Sequence, residues 1–135
     1  MTFIERRITI LRIRRPAQLG LNDELQWLGS SLGLFGERDR DKTCFRVFLE
    51  LLKAAKRQRG LTSDEIGELM NISRPTVVHH LTTLMERGMI VHDRRQYILR
   101  AGHLHEVINR LQQDAQETLK ELEETARALD DVLER

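Results

Sequence analysis

The sequence predicts a mainly α fold with one small β-hairpin, and three observations carry that reading. Apolar residues recur at helical spacing through most of the chain after residue 41. One pair of short β-prone runs, separated by Arg94-Arg95, stands between two helical stretches. Charged residues make up 32% of the chain and aromatics 4%, with two prolines, the composition of a helix-rich protein rather than a sandwich or a disordered tail. A length of 135 residues suits one core with appendages.

The first element expected is a strand. Residues Ile8 to Arg15 are rich in β-branched side chains, roughly alternate, and stop at Pro16. Their arginines suit a protected sheet edge, with nucleic-acid contact as the other use. Asn22 can cap a short helix over 23–32 that buries Leu25, Leu28 and Leu32 and ends at Gly33. These pieces form an N-terminal extension over residues 1–36.

A helix from Asp41 to about Gln58 follows, with Phe45, Phe48, Leu49 and Leu52 at i, i+3, i+4 and i+7. Val47, Leu51, Ala54 and Ala55 widen the stripe, so this helix should be buried on two sides, and Gly60 ends it. The lone cysteine, Cys44, falls within this apolar pattern and reads as a packing residue. Thr62 or Ser63 can cap the next helix, 64–70, whose buried side would be Ile66, Leu69 and Met70. Asn71-Ile72-Ser73 is a turn, and Ser73 with Pro75 opens a helix running to about Arg87. Its Val77, Leu81 and Leu84 face inward, which turns Thr76, His79, Thr82, Thr83 and Glu86 outward, with Arg74 at the exposed start.

Gly88 closes that helix, and residues 89–93 and 96–100 read as a hairpin. The two are joined by Arg94-Arg95, and because that tip lacks the usual positive-φ residues, a loop enlarged to include Asp93 and Gln96 is the alternative. A final helix, from about His103 to Leu133, places apolar or small residues at 104, 108, 111, 115, 119, 122, 126, 129 and 133. The eight gaps span 29 residues, near the period of a straight helix rather than a strict heptad. So long a stripe calls for a partner, most economically a second copy.

Helix, short turn, helix and hairpin in that order are the layout of a winged helix-turn-helix, whose second helix enters the major groove of DNA. The domain would span residues 37–101, with 102–135 as a C-terminal dimerisation helix. Arg74, Thr76, His79, Thr82 and Thr83 can reach base edges and phosphates, and no outward acid interrupts them before Glu86. Arg94 and Arg95 would grip backbone or an adjacent minor groove. Charge is divided accordingly. Residues 1–110 hold 19 Lys+Arg against 13 Asp+Glu, whereas 111–135 hold 3 against 8. A basic body suits phosphate, and the acidic end suits a different partner.

The run Ser73-Arg74-Pro75-Thr76-Val77-Val78-His79-His80-Leu81-Thr82-Thr83-Leu84 through Gly88-Met89-Ile90 resembles the recognition-helix signature S-x-x-[TA]-V-S-x-H-L-x-x-L-x-x-x-G-L-[VI] of ArsR-type winged-helix regulators. Leu61 to Met70 resembles that motif's first helix, and the resemblance covers about residues 43–100. It implies operator contacts at Ser73, Arg74, Thr76 and His79, and dimerisation through the C-terminal helix. Val78 stands where the pattern commonly has a serine, and the N-terminal 40 residues lie outside it.

Many ArsR-type proteins sense metals. Here the C-x-C pair is missing, and His103, His105, Asp114 and Glu117 echo the C-terminal site only in part, so neither metal nor other cofactor is expected. His80, close to the inward stripe, reads as packing. No phosphate loop or nucleophile motif suggests an enzyme, and few aromatics are available for single-stranded RNA. No run approaches the roughly 20 apolar residues of a membrane span, and no export signal is recognisable, so a cytoplasmic protein is expected. The expected function is sequence-specific recognition of double-stranded DNA by a homodimeric transcription regulator, with a protein-assembly module on the same fold as the alternative. Nothing in the sequence identifies an effector.

Overall fold

A computed structural model describes residues 3–17, 20–35 and 42–135. The elements in order are α1 (Leu21–Ser31), α2 (Thr43–Lys56), α3 (Ser63–Met70), α4 (Arg74–Glu86), β1 (Ile90–Asp93), β2 (Gln96–Leu99) and α5 (Leu104–Leu133). The mainly helical fold with a hairpin after the second helix of the motif agrees with the sequence. The expected start of α2 at Asp41 lies outside the described residues.

Helix α2 is the centre of the core. Cys44, Phe45, Val47, Phe48, Leu51 and Ala54 are buried on it, and it packs against α3, α4 and β2. Val77, Leu81 and Leu84 of α4, Ile66 of α3, and Val107 and Leu111 of α5 complete the same cluster with Met89, Ile90 and Leu99. Burial of a side chain such as Leu or Phe is worth about 1.5–3 kcal/mol, so this cluster dominates the favourable side of folding. The two-sided burial expected of α2 follows from having neighbours on several faces.

The N-terminal segment is not a strand. Residues 7–16 carry no regular secondary structure and no ladder. The Arg7 N–H donates to the Glu86 carbonyl at 2.9 Å, and the Leu11 N–H to the Ser31 carbonyl at 2.7 Å. Glu86 and Ser31 are the last residues of α4 and α1, where helical carbonyls have no partner within the helix. The arm therefore satisfies helix ends instead of a sheet edge. Trp27 adds a bond from its indole Nε1 to the Ile13 carbonyl at 3.1 Å.

Other boundaries shift for local reasons. Helix α1 begins two residues earlier than expected, capped at Gly20 rather than Asn22, with Asp23 Oδ2 accepting the Gly20 N–H at 3.3 Å. After α2 the positive φ falls on Gln58 (φ 57). Gly60 is required instead by crowding, because a Cβ there would lie 2.6 Å from Ile98 Cγ2 and 2.9 Å from the Tyr97 carbonyl oxygen. That approach lets Leu61 bridge to Tyr97 through two backbone hydrogen bonds, tying the hairpin to the body. Leu69, expected to be buried, is 61% exposed. A helix of only two turns buries a narrow stripe, and here Ile66 alone is fully covered.

The hairpin keeps the two-residue tip and not the enlarged loop. Asp93 pairs with Gln96, so the loop is Arg94-Arg95 alone, and Arg94 takes the left-handed conformation at φ 60. The Arg100 N–H to Met89 carbonyl bond, 3.1 Å, extends the pairing one step beyond the strands.

Candidate nucleic-acid interface

The helix-turn-helix is built from two well-capped helices. Thr62 Oγ1 accepts the Glu65 N–H while the Glu65 carboxylate accepts the Thr62 N–H, both at 3.1 Å, closing a capping box on α3. That backbone donor, with help from Arg59, holds the Glu65 carboxyl below its ordinary range. Asn71, at φ 54, turns the chain out of α3, in the left-handed conformation that asparagine tolerates. Ser73 then caps α4 by accepting the Thr76 N–H at 3.4 Å, with Pro75 in the first turn.

With Val77, Leu81 and Leu84 wholly buried, the opposite side of α4 is fixed in space. Arg74, His79 and Thr82 are exposed there, and Thr76 and Thr83 are half-buried. Arg74 forms no ion pair with any described residue. Three of the expected contacts already have their hydroxyls engaged locally. The Ser73 and Thr76 hydroxyls share a hydrogen bond of 2.8 Å, and Thr83 Oγ1 donates to the His79 carbonyl at 3.1 Å. Ser73, Thr76 and Thr83 therefore have hydroxyls bonded within the helix, whereas Arg74, His79 and Thr82 are exposed.

Val78 lies on this side too, 42% exposed. The inward stripe does not claim it, and an apolar group beside polar readers is the type that contacts a thymine methyl. At the wing, Arg94 and Arg95 are exposed and pair with no described acid. Behind the tip, His92 stacks on Tyr97, centroids 4.2 Å apart and planes 1° from parallel. Sequence reasoning passed over that pair. The signal was present in the hairpin register, which sets residues 92 and 97 directly opposite. His80 is half-buried, with its ring 5.4 Å from that of His79.

Among the described residues, no three His, Cys, Asp or Glu side chains group as a metal site, and no helix is long and apolar enough to cross a membrane.

Residues 48–94 match the model of the IclR helix-turn-helix domain, a span running from within α2 to the wing tip. No curated protein and no solved structure matches the chain. The match supports a DNA-binding transcription regulator of the helix-turn-helix kind, and not the ArsR subfamily in particular.

Proposed function

We propose that this chain is a sequence-specific double-stranded DNA-binding transcription regulator that works in the cytoplasm as a homodimer. Residues 1–36 are its extension, 37–101 its DNA-binding domain and 102–135 its dimerisation helix. Helix α4 enters the major groove, where Arg74, Thr76, His79 and Thr82 meet bases and phosphates and Val78 reads thymine methyls. Ser73 presents the helix N-terminus to a phosphate, and Thr83 keeps the end of the reading face in shape. Arg94 and Arg95 hold the backbone or minor groove beside it. The likeness of residues 73–90 to ArsR-type recognition helices belongs to this proposal, since it implies operator contacts at Ser73, Arg74, Thr76 and His79.

The observation that carries the reading is the exposed side of α4, which offers a cation and neutral polar groups without an acid before Glu86. A negative group among them would be repelled by phosphate. Selection of bound duplexes from a random pool, repeated at several salt concentrations, tests it. An enriched inverted repeat is the expected result. Recovery of no preferred sequence at any salt overturns it in favour of a protein-assembly module.

A further inference from the structure

Helix α5 leaves the body after Ala115, and every residue from 116 to 135 is exposed. Leu119, Leu122, Leu129 and Leu133 are 63, 60, 54 and 79% exposed, too regular a row to leave in water. Its apolar positions step alternately by four and three up to 115 and again beyond it, with two steps of four meeting at 115, and from there they fall at 115, 119, 122, 126, 129 and 133. Those alternating steps of four and three are a coiled-coil seam, which is useful only against another helix.

The seam is its own complement when reversed. Reflection about residue 124 carries 115 onto 133, 119 onto 129 and 122 onto 126. An antiparallel pair then has layers of Ala115 with the partner's Leu133, Leu119 with the partner's Leu129, and Leu122 with the partner's Ala126. Every alanine faces a leucine, so the layers fill evenly. A parallel pair would instead set Ala115 and Ala126 each against itself, leaving thin layers between leucine pairs. Thr118, Thr125 and Val132 leave one border of the seam uncharged, and Glu123, on the other border, carries Arg127 at 2.6 Å as its counter-ion.

We infer that residues 115–133 form a two-stranded antiparallel coiled coil with a second copy of this chain, in which Leu119 packs against the partner's Leu129. This rests on the homodimer proposed above and gives that homodimer an orientation and a register. With the dyad at residue 124 and the bodies beginning near residues 111–114, the two bodies stand about 30–40 Å apart along the rod at 1.5 Å per residue. That is the scale of the roughly 34 Å between half-sites one turn apart on DNA.

The test uses the full chain in two variants, Leu119→Cys and Leu129→Cys, mixed under reducing conditions without DNA and then oxidised. The wild type, whose Cys44 is 4% exposed, is the blank. The mixture should yield a cross-linked dimer and each variant alone should not. Cross-linking of either variant with itself, a wild type that sediments as a monomer at every concentration, or a dimer that never cross-links overturns the inference. Duplex selection is read separately. A monomer that still enriches one sequence sinks the coiled coil and leaves the DNA reading standing, whereas a cross-linked dimer that enriches none does the reverse.

Discussion

Arg100, the residue after β2, grips Asp114 of α5 with both terminal guanidinium nitrogens, Nη1 to Oδ2 at 2.5 Å and Nη2 to Oδ1 at 3.2 Å. Both side chains are 17% exposed, and Arg6 of the arm adds a bond of 2.8 Å to the same carboxylate. One anion thus joins the arm, the base of the wing and the long helix. A two-pronged, charge-assisted contact fixes direction as well as distance, so it orients α5 relative to the DNA-binding domain.

Removing that anion should be costly. Asp114→Asn leaves two arginines short of their partner in a site largely screened from water, and should lower unfolding free energy at neutral pH by roughly 2–4 kcal/mol. The hydrogen bond from Arg100, with that from Arg6, holds the Asp114 carboxyl below its ordinary range. A depressed carboxyl contributes stability above its unfolded value, near 3.9, and loses it as pH falls through the folded value. Urea titrations at descending pH should therefore show part of the wild-type acid limb missing in the variant. Identical limbs below about pH 4 would assign the loss to other carboxylates.

Gly88 is the pivot beneath this clamp. It sits at φ 73, and a Cβ there would lie 2.8 Å from both Cδ and Nε of Arg6. Gly88→Ala should destabilise by more than about 1 kcal/mol, through the backbone conformation and the contact together. Adding Arg6→Ala removes the contact and keeps the backbone term, so the two changes should not add. Additive losses in chemical denaturation would mean that Arg6 does not press on this turn.

Much of this architecture was legible because its signals are local. The Ser73 cap, a cap of α3 at Thr62 or Ser63, the stripe of Val77, Leu81 and Leu84, and the turn at Asn71 each follow from residue type and spacing within a few positions. The arm was misread because alternation reports an extended backbone without reporting its partner. Residues 7 and 11 found helix carbonyls at Glu86 and Ser31, a choice set by long-range packing. The Asp114 clamp was invisible for the same reason, since residues 6, 100 and 114 meet only in the folded chain. On α4, the outward face was legible from rotation per residue. The hydroxyls of Ser73, Thr76 and Thr83 could not be sorted from it, because their hydrogen bonds depend on side-chain torsions.

That sorting separates readers from supports on α4. Arg74→Ala should weaken binding to the selected duplex by roughly 1–3 kcal/mol and relax preference at one position, while leaving stability nearly unchanged. Val78→Ser should reduce preference for a thymine and have little effect on overall affinity. Thr83→Ala should alter neither preference. Competition binding against single-base variants of the duplex measures all three, and an unchanged profile for Arg74→Ala would take it off the reading face.

The wing offers a change in which stability and binding move in opposite directions. Arg94 occupies the left-handed conformation at φ 60, which costs a non-glycine residue about 1–2 kcal/mol. Glycine enters it freely, and a two-residue hairpin loop favours it there. Arg94→Gly should therefore raise stability by roughly 0.5–1 kcal/mol after the added chain entropy of glycine is counted. It also removes an exposed cation, so affinity for DNA should fall on every sequence, with a log-log salt slope shallower by about one. Arg95→Ala should repeat the loss of affinity without the gain in stability. A variant at position 94 that becomes more stable and binds as before would show that the strained arginine is not held there for DNA.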